Sequence, residues 1–168
     1  MLISDLSDKE LGRFAHNYRR ANKKEGGKFS LAEILLEQHR RKPAVFGVRE
    51  VAAQILEHAA ASGDGLVTYG EIWSAFCPDT PWTGHKSLRT VSNSLARVIS
   101  YCVRHRLPLL NVLVVRTNNR TLSQRAVQNI YKTAEDLGVA VGLDAKAFVD
   151  SQMRQSRAFM IDRLPDDD

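Results

Sequence analysis

A mainly α-helical fold with one small β-hairpin is predicted by three observations on the sequence. There are three Ser/Thr-x-x-Glu capping boxes, one long apolar pattern at helical spacing, and one β-branched run followed by turn residues. Hydrophobic residues make up 43% of 168, enough for a packed core within one domain-sized chain.

The first box, Ser7-Asp8-Lys9-Glu10, opens a helix carrying Leu11, Phe14 and Tyr18, which Gly26-Gly27 breaks. The second, Ser30-Leu31-Ala32-Glu33, opens a helix to about Arg41, with Phe29 placed to staple onto Ile34 and Pro43 preventing extension. Residues 1–44 therefore read as an N-terminal helical hairpin. Its basic clusters are Arg19, Arg20, Lys23 and Lys24, and Arg40, Arg41 and Lys42. Val48 to Ala61 reads as an amphipathic helix ended by Gly63-Asp64-Gly65, with a short strand at Leu66-Val67. Thr68-Tyr69-Gly70-Glu71 is the third box and starts a short helix through Ile72, Trp73 and Phe76. Pro78 and Pro81 make the next stretch a loop, in which Trp82 is expected to be exposed and able to pack on a base or a partner.

The longest helix is predicted from about Lys86 to His105. Leu88, Val91, Leu95, Val98 and Cys102 form its buried face. Arg89, Asn93, Arg97, Ser100 and Arg104 step along a second, polar face without a negative charge. Asn111 to Thr117 reads as the clearest strand, turning at Asn118-Asn119 and returning through Arg120-Thr121-Leu122. Helices follow from about Gln124 to Leu137 and from about Ala145 to Ile161, with Asp166 to Asp168 as a frayed acidic tail. A short helix, a longer one and then a basic hairpin is the order of a winged helix-turn-helix, here assigned to residues 45–140. Residues 141–168 then form a C-terminal helix and tail.

Charge is distributed unevenly along this framework. Between Thr80 and Ala134 there is no Asp or Glu but there are nine cations: Lys86, Arg89, Arg97, Arg104, Arg106, Arg116, Arg120, Arg125 and Lys132. The rest of the chain holds 15 basic and 19 acidic side chains, a net of −4. A one-signed field over one region attracts polyanions, because each cation meeting a phosphate releases a counterion. Arg and Asn suit base edges, and Arg and Lys suit phosphates. The candidate nucleic-acid contacts are therefore Lys86, Arg89, Asn93, Arg97 and Arg104 on the helix, with Arg116, Asn119 and Arg120 at the wing tip.

Other chemistries find less support. Cys77 and Cys102 are far apart and form no CxxC, which indicates a reduced, cytoplasmic protein without a zinc site. No apolar run is long enough for a bilayer, and the N-terminus lacks a signal-peptide pattern. Cys102 and His105 lie three apart, but no nearby carboxylate orients them, and Cys102 falls on the apolar stripe. Glu71, Asp79 and His85 match no defensible metal spacing, and no glycine-rich phosphate loop is present. No cofactor is expected.

Val67-Thr68-Tyr69-Gly70-Glu71-Ile72 resembles the "V-x-Y-G-x-I/V" segment in the DNA-binding domain of O6-alkylguanine-DNA alkyltransferases and alkyltransferase-like proteins. Leu88-Arg89-Thr90-Val91 is similar to the family's "A-R-A-V-G" at the start of its recognition helix. Leu107-Pro108-Leu109-Leu110 resembles its "N-P-L-P". The similarity runs from about Val48 to Thr117. It implies that Tyr69 crowds a target phosphate and that Arg89 takes the space left by a flipped nucleotide. The family's nucleophile lies in Pro-Cys-His-Arg, where this chain has Val112-Leu113-Val114-Val115, so alkyl-group acceptance is excluded. Ser92 stands where the family tends to have Gly.

The expectation is a non-enzymatic DNA-binding protein, with duplex DNA favoured as partner. One alternative is an interaction module against an acidic protein, of the inhibitor or immunity type in a bacterial or phage conflict system. The other is a nucleic-acid-processing enzyme.

Overall fold

The computed structural model describes residues 1–166, and it is helical apart from one small sheet. In chain order the elements are α1 (Asp8–Arg20), α2 (Leu31–Arg40), α3 (Val48–Ala61), β1 (Val67–Thr68) and α4 (Tyr69–Phe76). Then come α5 (His85–Arg104), β2 (Val114–Val115), α6 (Gln124–Asp136) and α7 (Ala145–Ala158). Short 3-10 turns occupy Ile3–Asp5, Leu110–Leu113 and Ile161–Arg163.

The three capping boxes form as the sequence predicts. Ser7, Ser30 and Thr68 accept from the backbone N–H groups of Glu10, Glu33 and Glu71 at 3.3, 3.2 and 3.1 Å. Each glutamate in turn accepts from the N–H of its capping residue at 2.7 Å. Two donors otherwise orphaned at each helix start are thereby satisfied. Ser123 and Asp144 cap α6 and α7 in the same way, accepting from Ala126 and Ala147.

Two apolar clusters hold the molecule, and α5 lies between them. The larger joins α3 (Val51, Ile55), β1, Ile72 of α4, Leu110 to Val115 and Phe148 of α7 to Val91, Val98 and Cys102 of α5. The smaller is the N-terminal hairpin, with Leu11 and Ala15 of α1 against Leu31, Ile34 and Leu35 of α2. Ile99 and Val103 of α5 and Leu137 after α6 pack on it. The 1–44 hairpin therefore leans on the side of α5 that the larger core leaves open. Leu88, expected in the buried face, is only partly buried.

The expected β-hairpin does not form. β1 and β2 pair in parallel, Val67 with Val114 and Thr68 with Val115, with α4 and α5 in the crossover. After β2 the chain makes a single turn closed by Arg120 N–H to the Arg116 carbonyl at 3.1 Å. Arg120-Thr121-Leu122 is not a strand and leads directly to the α6 cap. The C-terminus is tied down as far as Pro165. The buried Tyr101 hydroxyl donates to the Pro165 carbonyl, and Arg49 donates to that of Leu164 at 3.3 Å. Asp166 lies 3.9 Å from Arg49, whereas Asp167 and Asp168 of the expected tail lie outside the described residues.

Candidate nucleic-acid interface

The polar face of α5 divides at its middle. Lys86 and Arg89 are exposed in the first two turns, Asn93 is partly exposed one turn on, and none of the three side chains meets a hydrogen-bond or ion-pair partner among the described residues. Beyond Asn93 the N-terminal hairpin covers the stripe. Arg97 donates through Nη1 to the carbonyls of Arg40 at 2.6 Å and Lys42 at 3.3 Å, closing the end of α2. Ser100 is buried, its Oγ 2.9 Å from Nδ1 of His39 on α2. Arg104 stays exposed at the far end, on a groove of about 570 Å³ shared with Glu33, Glu37 and Arg40 of α2. Arg97 is therefore withdrawn from the candidate contacts, because its guanidinium already serves carbonyls at a helix C-terminus.

The residues expected at a wing tip divide as well. Arg120 has a left-handed φ of 47° and is clamped. Its Nε and Nη2 reach the two Asp64 carboxylate oxygens at 2.7 and 3.0 Å, and Nη2 also donates to Ser62 Oγ and the Leu66 carbonyl. Arg120, with help from Ser62, holds the Asp64 carboxyl well below the usual carboxylate range. The clamped Arg120 leaves the candidate set too. The Asn119 side chain accepts from Thr121 N–H at 3.4 Å, a local turn bond, while the residue stays exposed. Arg116 is exposed, and its side chain meets no hydrogen-bond or ion-pair partner among the described residues.

Parallel register brings Arg116 to Tyr69. Thr68 pairs with Val115, so the residues that follow each strand emerge side by side. Tyr69 is half-buried against the larger core as the first residue of α4. Burial pushes its hydroxyl pKa upward, and the positive charge of Arg116 acts in the opposite direction. This pairing could not be read from the sequence, since it follows from the crossover rather than from local spacing.

The helix that carries Lys86 and Arg89 begins without a side-chain cap. Its N-cap is Gly84, at φ 55° and ψ −122°, and its first turn contains no acid. Cations at the positive end of a helix cost about 0.3–1 kcal/mol each, and an anion there is stabilised. The absence of Ser, Thr, Asp or Asn just before Lys86 was the sequence signal for this.

Four of the seven cations in the hairpin's basic clusters are ion-paired, whereas Arg20, Lys23 and Lys42 have no ion-pair partner among the described residues. Arg19 meets Asp136 at 3.5 Å, Lys24 meets Glu135 at 3.3 Å, and Arg40 and Arg41 both meet Glu37 at 2.7 Å. Lys132 meets Glu135 and Asp136 at 3.2 and 3.1 Å. Of the nine cations in the acid-free window, Lys86, Arg89, Arg104, Arg106, Arg116 and Arg125 remain without a partner among the described residues.

The alternative chemistries gain no geometry. Among the described residues no group of three His, Cys, Asp or Glu side chains could hold a metal ion, so Glu71, Asp79 and His85 do not converge. Cys102 is fully buried, and burial pushes its thiol up to about 12, which keeps it protonated and unreactive. No described helix is long and apolar enough to cross a membrane. Comparison with protein families, curated proteins and solved structures finds no match to this chain.

Proposed function

We propose that this chain is a non-enzymatic DNA-binding protein whose contact surface is the first half of α5 together with the Tyr69–Arg116 corner. One observation carries this reading. Lys86, Arg89 and Arg116 lie exposed, with no side-chain partner among the described residues, within the stretch of the chain that contains no Asp or Glu. The uncapped, acid-free start of α5 supports it, because a phosphate there offsets an arrangement that is otherwise unfavourable. The resemblance of Val67 to Ile72 and Leu88 to Val91 to alkyltransferase segments points the same way, without that family's nucleophile.

Lys86, Arg89 and Arg116 would meet phosphates, with Asn93 in reach of a base edge and Tyr69 bordering the strand that Arg116 holds. Three phosphate contacts give a log–log salt slope of about −3 on duplex DNA. Electrophoretic binding to duplex DNA, single-stranded DNA and RNA across a salt series tests the reading, with cleavage scored in the same gels. Retarded complexes that dissolve with salt are expected, with no cleavage. Absence of any nucleic-acid complex at low salt, or recovery of a stoichiometric acidic protein and no nucleic acid, would overturn it.

A further inference from the structure

We propose that Trp82 is a stacking platform for an unpaired base, so that the nucleic acid taken by the basic surface includes a single-stranded stretch. The proposal rests on the reading of that surface given above and adds the class of strand it accepts.

Trp82 is 41% exposed, whereas Trp73, the other tryptophan, is 7% exposed and completes the core. Trp82 belongs to neither apolar cluster, yet hydrogen bonds brace the loop that presents it. On one side Trp73 Nε1 donates to the Thr80 carbonyl at 2.8 Å, and Thr80 N–H donates to that of Cys77 at 3.2 Å. On the other side Thr83 N–H donates to the fully buried Ser87 Oγ at 2.9 Å. Between these anchors the Trp82 ring stands at 83° to Trp73 with centroids 6.3 Å apart, an edge-on contact that leaves much of the indole open. No other ring or cation covers it among the described residues.

The position also fits a nucleotide chain. Only Thr83 and Gly84 separate Trp82 from α5, whose first two turns present Lys86 and Arg89, side chains without a partner among the described residues. An aromatic platform followed within a few residues by exposed cations is a combination suited to single strands, with bases on the π-face and phosphates on the charges. Intact duplex offers no free base face, so Trp82 adds nothing to duplex affinity. An immobilised side chain also loses little freedom when a base settles on it.

The test measures binding of oligo(dT), a duplex of equal length and inorganic polyphosphate to the full chain, with tryptophan emission recorded for oligo(dT). Oligo(dT) is expected to quench emission. Trp82→Leu is expected to weaken oligo(dT) binding about tenfold, while Trp82→Phe retains most of it and both variants hold duplex and polyphosphate as wild type does. Equal oligo(dT) affinity for wild type and Trp82→Leu overturns the proposal. So does a loss that extends equally to polyphosphate, because that loss is not base stacking. If wild type binds none of the three probes, the basic-surface reading itself falls and takes this inference with it.

Discussion

Arg97 donates to the backbone carbonyl of Arg40 at 2.6 Å, tying the middle of α5 to the end of α2. The same side chain reaches the carbonyl of Lys42 at 3.3 Å. Arg97 therefore belongs to the packing of the N-terminal hairpin, although it shares a helical stripe with Arg89 and Asn93. Hydrogen bonds to a charged group are worth about 1.5–3 kcal/mol, less where solvent reaches them. Arg97→Ala is expected to cost about 1–2 kcal/mol and to lower Tm by about 2–8 °C. Lys86→Glu with Arg89→Glu should instead not lower Tm and is expected to raise it slightly, since both side chains are exposed without a partner among the described residues and an acid near the start of α5 suits the helix dipole. That pair should abolish the low-salt DNA complex, or at least remove about two units of salt slope. Calorimetry and a salt titration on the two variants check the division of labour. A Tm unchanged in Arg97→Ala would contradict the structural role.

Arg116 and Arg120 flank one turn but do different things. Arg120 is clamped on Asp64, Ser62 and the Leu66 carbonyl, and Arg116 is free beside Tyr69. Arg120→Ala should accelerate amide hydrogen exchange in residues 116–121 and lower Tm, because the turn loses the anchor that holds it to the α3–β1 loop. Arg116→Ala should weaken DNA binding with no change in Tm. Similar Tm values for Arg120→Ala and wild type would rule out the anchoring role.

Both divisions show how far the sequence reaches. Ser7, Ser30 and Thr68 announce their helices because a capping box is a local bond between residues three apart. The buried face of α5 is equally local, a matter of three- and four-residue steps. What covers the opposite face is not local. Arg97 is answered by carbonyls 57 and 55 residues earlier, and Arg120 by a carboxylate 56 residues earlier. The same distance hides the sheet. Val67 and Val114 pair in parallel across two helices, while Asn118-Asn119 next to β-branched residues reads as a hairpin wherever it occurs. The acid-free window was legible as charge; which of its cations stay free depends on where the hairpin docks.

Helix ends offer a test that is independent of binding. Three helices close with paired bonds around a left-handed residue: Asn22 after α1, Arg106 after α5 and Gly138 after α6. In the α5 case Leu107 N–H reaches the Cys102 carbonyl at 2.8 Å and Arg106 N–H that of Val103 at 3.3 Å. Arg106 holds φ 55°, a region that strains a side chain with a Cβ by about 1–2 kcal/mol. Arg106→Gly is therefore expected to raise stability by about 1 kcal/mol, less any loss from glycine's freedom in the unfolded chain. Gly138→Ala should act in the opposite direction at φ 84°, although an added Cβ would meet Ala32 only at an ordinary 3.7 Å. Denaturant titration of both variants measures the two signs; a destabilised Arg106→Gly would show that the guanidinium contributes more than the backbone strain it brings.

Acid should destabilise the surroundings of α2 in two separate steps. His39 is largely buried between these helices, with Nδ1 2.9 Å from Ser100 Oγ, and burial, followed by the charges of Lys42 and Arg19, pushes its pKa down to about 4 from 6.5. The folded state thus resists a proton that the unfolded state accepts at the ordinary value. Between pH 6.5 and pH 4 the unfolded chain binds more protons, so stability falls as pH falls through this window. Glu37 is held down to about 2 from 4.5 by Arg40 and then Arg41, so the stability it contributes is complete above pH 4.5 and drains toward pH 2. The windows barely overlap, and measurements between pH 7 and pH 5 isolate the histidine. Wild type should lose stability steadily across that range in urea titrations. His39→Gln, which cannot titrate and can still bond Ser100, should lose clearly less. Parallel curves for the two proteins would mean that His39 takes up its proton in the folded state as easily as in the unfolded one.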